Sequence, residues 1–187
     1  PLPITVDGSA SDLLSIKTPS GVVTLSLPGL TFAGPVSRSG QTFTIQNVAT
    51  ATDLRLTVGV DAVRVDFVLR SAQAQTSFTV HLADPGNALG TLKAGGAGDY
   101  VSSKQLDDGV YLELASPVAF QDGSGPDRAS AGPAITSGAS QSMAAAGNGF
   151  DVTDSLNSTW AGHHTYPIVL DPTVVLSGSS ATNCGIA

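Results

Sequence analysis

The stretch Tyr166-Pro-Ile-Val-Leu-Asp-Pro-Thr173, which runs on into Val174-Val-Leu176, is the most informative feature of this sequence. Two prolines, Pro167 and Pro172, bracket a short apolar run. Proline fixes its own backbone angle and cannot donate a hydrogen bond to a sheet, so within sheets it is confined to edges and strand ends. The stretch therefore predicts a short edge strand that the chain enters and leaves through rigid turns.

Glycine and proline divide the remainder of the chain into short segments in the same way. Its 187 residues include Gly 21 and Pro 11, which would interrupt helices repeatedly, and only 12% of its residues are charged. Short segments of alternating apolar and polar residues lie between the turns, and these segments are 22–27, 42–46, 54–58, 63–69 and 78–82. This pattern predicts an all-β fold, an antiparallel sandwich-like arrangement with little or no helix.

Local spacing also predicts particular strand pairs. Residues 63–70 and 76–82 are separated by a short polar connector, so we expect them to form a hairpin. Residues 100–104 and 110–114 flank Asp107-Asp-Gly109, which has the composition of a tight hairpin turn. Residues 142–146 are compatible with either a short strand or a helix, and Asn148-Gly149 predicts a turn.

The same punctuation suggests the domain organisation. We expect an N-terminal β segment or subdomain over residues 1–50, a main sandwich-like domain over 51–176, and a tail or linker over 177–187. Residues 121–138 hold several Gly and Pro residues and predict a surface loop. An opening at Pro1 favours a processed product, and the single cysteine, Cys184, is interpreted as an incidental thiol or as a partner for a cysteine elsewhere.

Charge excludes two classes of partner. The net charge is −7 with only 8 Lys and Arg residues and no basic cluster, so the sequence lacks the electrostatic footprint of nucleic-acid binding. Anionic membranes are disfavoured for the same reason, and no stretch of the sequence is long and apolar enough to span a bilayer. We expect no nucleic-acid partner and no membrane insertion.

His163-His164 is the pair most like a metal site, with Asp151, Asp154 and Asp171 nearby in sequence. Adjacent residues of a strand point to opposite faces, which keeps two neighbouring histidines from sharing one ion. We therefore interpret them as structural or solvated, and we assign no metal and no cofactor to the chain.

Two acidic turns offer a calcium alternative. Asp122 and Asp127 lie in one Gly-rich loop, and Asp107 and Asp108 form another pair. Carboxylates on a flexible backbone are the ligands that Ca²⁺ uses, but the spacing of a calcium-binding hand and its terminal Glu are both missing. Asp also forms turns through bonds to its own backbone, and we prefer this second interpretation.

No pattern in the sequence predicts a catalytic residue. A Gly-x-Ser-x-Gly elbow is absent, and Glu113 is the only Glu in the chain, flanked by Leu112 and Leu114. Paired carboxylates of the glycosidase type would have to come from facing strands. We predict that the chain is not an enzyme, and the alternative is a secreted hydrolase whose site lies in loops.

Carbohydrate binding is the main rival function. Sugar-binding sandwiches stack sugar rings on exposed aromatic side chains, and this chain has Trp160, Tyr100, Tyr111 and Tyr166. A lone Trp is more often a core or loop anchor. Asn157-Ser-Thr159 also matches a glycosylation acceptor, which has little meaning in a bacterial host.

The order of these segments resembles a module of large secreted bacterial surface proteins. The resemblance is to a segment of Rhs/YD-repeat and DNRLRE-type proteins. It rests on the order of residues 53–58, 59–69 and 76–82, a Gly-rich region, a strand at 109–114 and a closing Tyr-Pro-Ile-Val-Leu-Asp-Pro-Thr at 166–173. The resemblance covers about residues 50 to 175. One departure is Arg64-Val-Asp66, where that family carries an adjacent Lys-Glu pair.

The resemblance implies a noncatalytic, extracellular or cell-surface module, a structural spacer that packs against neighbouring domains of a longer polypeptide. It brings no catalytic residues with it. The alternative is an adhesin-like module that binds a carbohydrate or another surface, with a glycan or a cell surface as its partner.

Overall fold

The computed structural model describes residues 4–6, 9–59, 61–96, 98–122 and 138–178. These residues form antiparallel strands and one short helix, α1, at Ser158–Ala161. The strands are β1 (Ile4–Val6), β2 (Leu14–Thr18), β3 (Gly21–Ser26), β4 (Val36–Ser39), β5 (Thr42–Ala49), β6 (Thr52–Val58), β7 (Ala62–Leu69), β8 (Ser77–Ala83), β9 (Leu92–Ala94), β10 (Tyr100–Ser102), β11 (Val110–Leu114), β12 (Val118–Gln121), β13 (Ala139–Ala146), β14 (Gly149–Leu156), β15 (Ile168–Asp171) and β16 (Thr173–Gly178). The prediction of an all-β, sandwich-like fold is confirmed.

The strands belong to two sheets that share one core. The small sheet has the order β1-β2-β3-β8-β14-β13, and the large sheet has the path β4-β5-β6-β7-β16-β11-β10-β9, with β12 and β15 attached beside β7. Alternate residues of both sheets point inward, so each strand contributes its apolar face to one cluster. Phe67 of β7 stacks on Phe78 of β8 across this core, with ring centroids 4.0 Å apart. Strands from the first fifty residues lie in both sheets.

The stretch 166–173 lies inside the large sheet, so the prediction of an edge strand is wrong. β15 pairs with β12 on one side and with β7 on the other, and all four of its residues are buried. β16 pairs with the other half of β7 and with β11. Pro172 sits at the break between β15 and β16, where its missing N–H costs no ladder bond and its carbonyl accepts the N–H of Val65 at 3.2 Å.

The hairpin predicted between residues 63–70 and 76–82 is also wrong. β7 and β8 lie in different sheets, and the connector between them crosses from one layer of the sandwich to the other. β7 instead pairs antiparallel with β6, and the Gly59 N–H donates to the Ala62 carbonyl at 2.8 Å beside this pair. Both strands alternate with the same period, and a period shows which side chains face inward but carries no information on the neighbouring strand.

One other local prediction is confirmed, and one that left two alternatives open is decided. β10 pairs with β11, and residues 107–109 lie in the connection between them. Residues 142–146 belong to a strand, β13, which pairs with β14 along its full length. The turn of this hairpin is Gly147-Asn148, one residue earlier than expected, because Gly147 supplies the positive φ of +56° that such a two-residue turn requires.

Candidate functional site

The main concentration of charge among the described residues is a group of two arginines and three aspartates on the large sheet, here called the ion-pair cluster. Its members are Arg55 on β6, Arg64 and Asp66 on β7, Asp171 on β15, and Asp122 after β12. Their neighbours in the strands point into the shared core, so the cluster lies on the opposite face, which we call the outer face. The register of β6, β7 and β15 brings the five side chains together.

Asp66 is held between two guanidinium groups. Arg64 Nε donates to Asp66 Oδ1 at 2.7 Å, and Arg55 Nε donates to Asp66 Oδ2 at 3.2 Å. The Asp66 side chain is 4% exposed, whereas each arginine keeps about a quarter of its side-chain surface exposed. Both carboxylate oxygens of Asp66 are therefore occupied by charged donors.

Asp171 lies at the break between β15 and β16 and is fully buried. Arg64 Nε lies 3.2 Å from its Oδ2, and the Thr173 hydroxyl donates to its Oδ1 at 2.8 Å. The Arg64 guanidinium also sits over the ring of Phe120, 5.3 Å from the centroid. Arg64 thus connects β7, the strand break and β12.

Burial changes the proton affinity of this cluster. It raises the pKa of Asp66 to about 6, with a further rise from the charge of Asp171, while Arg64 and Arg55 act in the opposite direction. Burial disfavours the charge of Arg64, but Asp171 and Asp66 outweigh it, so the pKa of Arg64 is raised. Arg64 therefore keeps its charge at neutral pH and pairs with both Asp66 and Asp171.

A second buried acid, Asp154, faces the shared core from β14. Gln141 Nε2 donates to its Oδ1 at 2.9 Å, but Asp154 Oδ2 and Gln141 Oε1 have no hydrogen-bond partner among the described residues. Burial raises the pKa of Asp154 to about 7; the Gln141 bond lowers it, and the charge of Asp171 adds to the rise. A proton on Asp154 converts one of two acceptor atoms into a donor, which fits this elevated pKa.

The structure separates the residues of the proposed histidine site. His163 is exposed, and the His164 ring stacks on Trp160 with centroids 3.7 Å apart. Asp151 bonds instead to His81 across the β8–β14 pair, at 2.6 Å. Within the described ranges no three His, Cys, Asp or Glu side chains lie close enough together to hold a metal ion.

The acidic turns have structural partners where the structure describes them. Asp107 Oδ1 accepts the backbone N–H of Asp108 at 2.9 Å, as expected of a turn-forming aspartate. Asp122 Oδ1 accepts a bond from Arg55 Nη2 at 3.0 Å. Asp127 lies outside the described residues. Glu113 is half-buried on β11 between two buried leucines.

Both faces of the Trp160 indole are covered. His164 stacks on one face, and Gly138 approaches the bond shared by the two rings, where a Cβ on Gly138 would lie 2.8 Å from Cδ2 and 2.9 Å from Cε2. That bond is reached only over a ring face, so Gly138 covers the face opposite His164. The backbone N–H of Trp160 donates to Asn157 Oδ1, and Asn157 thereby caps the N-terminus of α1. Trp160 is an anchor for α1 in this arrangement, with no face left for a stacked sugar.

The ion-pair cluster was not predicted from the sequence, although part of its signal was visible. Arg64 and Asp66 are two residues apart on a predicted strand, and so are Asp53 and Arg55 on the preceding one. Residues spaced by two share a face, which places opposite charges side by side on neighbouring strands. Asp171 joins them only through the pairing of β15 with β7, which no local pattern indicates.

Neither the models of known protein families, nor the curated proteins, nor the solved structures give a match to this chain. Among the described residues, no helix has both the length and the apolar character needed to cross a membrane.

Proposed function

We propose that this chain is a noncatalytic structural module, a spacer or packing domain of a secreted or cell-surface bacterial protein. The observation that carries the proposal is the ion-pair cluster. Its charged groups are the ones best able to support chemistry, yet they bond to one another, and its central acid, Asp171, is fully buried. A substrate would have to break these pairs to reach the carboxylates.

The cluster has an evident mechanical role. Proline interrupts the strand between β15 and β16, and Arg64 spans this interruption through its contacts with Asp66, Asp171 and Phe120. Arg55 adds Asp122, which ends β12, to the same network. The network therefore ties β6, β7, β12 and β15 together at the point where the sheet ladder is broken.

The exposed face of the small sheet supports the same role. Polar side chains there are paired in register across β8 and β14: Ser77 with Ser155 at 3.0 Å, Thr79 with Thr153 at 2.9 Å, and His81 with Asp151 at 2.6 Å. Because these hydroxyl groups hydrogen-bond to one another across the two strands, the surface they form is polar and poor in charge. The resemblance of residues 50–175 to modules of Rhs/YD-repeat and DNRLRE-type surface proteins is the support for the secreted, multidomain context.

Removal of the central charge tests the structural role. We expect Asp171→Asn to lower the free energy of unfolding by about 3 kcal/mol, because it removes the fully buried carboxylate that Arg64 pairs with at the strand break, while the pair with Asp66 remains. Urea unfolding followed by circular dichroism measures this change. Asp108→Asn is the matched control, since it makes the same chemical change at an exposed turn, and we expect a change within about 0.5 kcal/mol.

Two results would overturn the proposal. The first is turnover of ester, glycoside or peptide substrates that Asp66→Asn abolishes while the protein still unfolds cooperatively. The second concerns the gene: a downstream repeat region in its reading frame supports a module of a longer protein, whereas a stop codon directly after Ala187 contradicts the spacer role.

A further inference from the structure

A cavity of about 370 Å³ opens beside α1, and we call it the α1 pocket. Its walls come from the connector between β7 and β8, from α1 and from the segment before β15. The lining includes Ala72, Thr76, Ser158, Ala161, His164 and Tyr166. Small-molecule sites in proteins have volumes of roughly 300 to 1,000 Å³. The pocket is therefore large enough for one sugar-sized ring.

Three hydroxyl groups of the α1 pocket are available to a ligand. The side chains of Thr76, Ser158 and Tyr166 make no hydrogen bond within the part of the chain that the structure describes. Thr76 and Ser158 are exposed, and Tyr166 is half-buried. Each hydroxyl can donate one bond and accept others, so the three together suit a ligand that carries several hydroxyl groups.

His164 adds a fixed acceptor. Its Nδ1 lies 2.7 Å from the Trp160 carbonyl oxygen, which can only accept, so Nδ1 carries the hydrogen and Nε2 of the neutral ring has the lone pair. The stacking of the ring on Trp160 holds this orientation. An acceptor with a set direction selects a hydroxyl donor on the ligand.

Among the residues that the structure describes, no charged side chain lines the α1 pocket. Its lining includes no Asp, Glu, Lys or Arg, and Ala72, Ala161 and the ring of Tyr166 supply apolar surface. A charged ligand would find no counter-ion here, whereas a sugar ring presents C–H groups to apolar surface and hydroxyls to polar groups.

We propose that the α1 pocket binds a neutral sugar unit, such as a hexose, of a glycan. Tyr166 supplies ring surface and a hydroxyl, Thr76 and Ser158 supply further hydroxyls, and His164 Nε2 accepts from the sugar. Trp160 takes no direct part, because both of its faces are covered, and it positions His164. This site is separate from the ion-pair cluster and would give a structural module a contact with a cell surface or extracellular polysaccharide.

Titration of the ¹⁵N-labelled protein with methyl glycosides of glucose, galactose, mannose and N-acetylglucosamine tests the proposal. We expect at least one of them to give saturable shifts of the amide signals of residues 158–166. Tyr166→Phe keeps the ring and removes only the hydroxyl, and we expect it to weaken binding about three- to tenfold, the usual effect of one lost hydrogen bond.

Tyr100→Phe is the matched control, because it removes a hydroxyl from another half-buried tyrosine outside the pocket. We expect it to leave the affinity unchanged. Sedimentation of the protein with insoluble neutral polysaccharides distinguishes a single sugar from a glycan chain as the ligand. If the polysaccharide retains the protein, Tyr166→Phe weakens this retention and single glycosides cause no shifts, the pocket binds a glycan chain. Absence of both effects, or equal loss in the two variants, overturns the proposal.

Discussion

Asp154→Asn removes a buried acid whose ionisation opposes folding. Asp154 is fully buried on the core face of β14, with one carboxylate oxygen bonded to Gln141 and the other without a partner. Burial is the main cause that raises its pKa from 3.8 to about 7. The asparagine side chain has the same shape and carries no charge at any pH, so the substitution isolates the ionisation.

The direction of the effect follows from proton linkage. The pKa of Asp154 is higher in the folded protein, so between about pH 3.8 and pH 7 the folded state holds a proton that the unfolded chain releases. The stabilising contribution of this group is complete below pH 3.8 and is lost as the pH rises through 7. The folded and unfolded pKa values of Asp154 differ by about 3 units, and each unit corresponds to about 1.36 kcal/mol. Ionisation of Asp154 therefore lowers the free energy of unfolding by up to about 4 kcal/mol.

We therefore expect Asp154→Asn to raise the free energy of unfolding by up to about 4 kcal/mol at pH 8 and to change it little at pH 4. Urea unfolding at a series of pH values, followed by the fluorescence of the single tryptophan, Trp160, measures both. Asp66, whose pKa is also raised, contributes in the same direction to the wild-type curve, and the difference between the two proteins removes its share.

Asp108→Asn makes the same chemical change at an exposed turn and is the control, with no expected difference between pH 4 and pH 8. Equal effects of Asp154→Asn at the two pH values, or a loss of stability at pH 8, would show that ionisation of Asp154 does not oppose folding.

Three substitutions test the packing. Gly149→Ala is expected to destabilise by about 3 kcal/mol, because its Cβ would lie 1.7 Å from the Leu82 carbonyl oxygen and would push β14 away from β8. Gly138→Ala is expected to cost about 1–2 kcal/mol and to change the emission of Trp160, since its Cβ would meet the indole at 2.8 Å. Phe67→Ala is expected to cost about 3–5 kcal/mol by opening a cavity in the core. Thermal and urea unfolding measure all three.

Gly96→Ala serves as the control for both glycine substitutions. Its Cβ would meet no heavy atom within 4 Å, so we expect a change within about 0.5 kcal/mol. A Gly149→Ala protein as stable as the wild type would contradict the close approach of β14 to β8. A Gly138→Ala protein with unchanged tryptophan emission would contradict the covered indole face.

Local patterns were sufficient for the strands that end in a tight turn. β10 and β11 flank Asp107-Asp-Gly109, and the turn chemistry and the alternation agree on one pairing. β6 and β7 are also consecutive strands that pair, but the short polar connector between residues 63–70 and 76–82 favoured the wrong partner for β7. Alternation is the same in strands that pair and in strands that do not, so it does not identify the neighbour of a strand. The neighbour is set by the assembly of the two sheets.

The candidate sites show the same limit. Trp160 and Tyr166 were both possible sugar contacts on the sequence alone. In the structure, both faces of the Trp160 indole are covered, whereas Tyr166 lines a pocket. His163 and His164 are adjacent in sequence, but one is exposed and the other is held by Trp160. The direction of a side chain in a loop depends on its tertiary neighbours, which spacing does not specify.

The amino-acid sequence is sufficient to specify an all-β protein, because glycine and proline limit every segment to strand length and alternation gives each strand one apolar face. The position of the stretch 166–173 depends instead on tertiary packing. Its prolines indicate an edge, but a proline is also tolerated inside a sheet where the ladder is already interrupted, and β7 is long enough to pair with β15 and β16 on either side of Pro172. The burial of Asp171 and the ion-pair cluster follow from that nonlocal pairing.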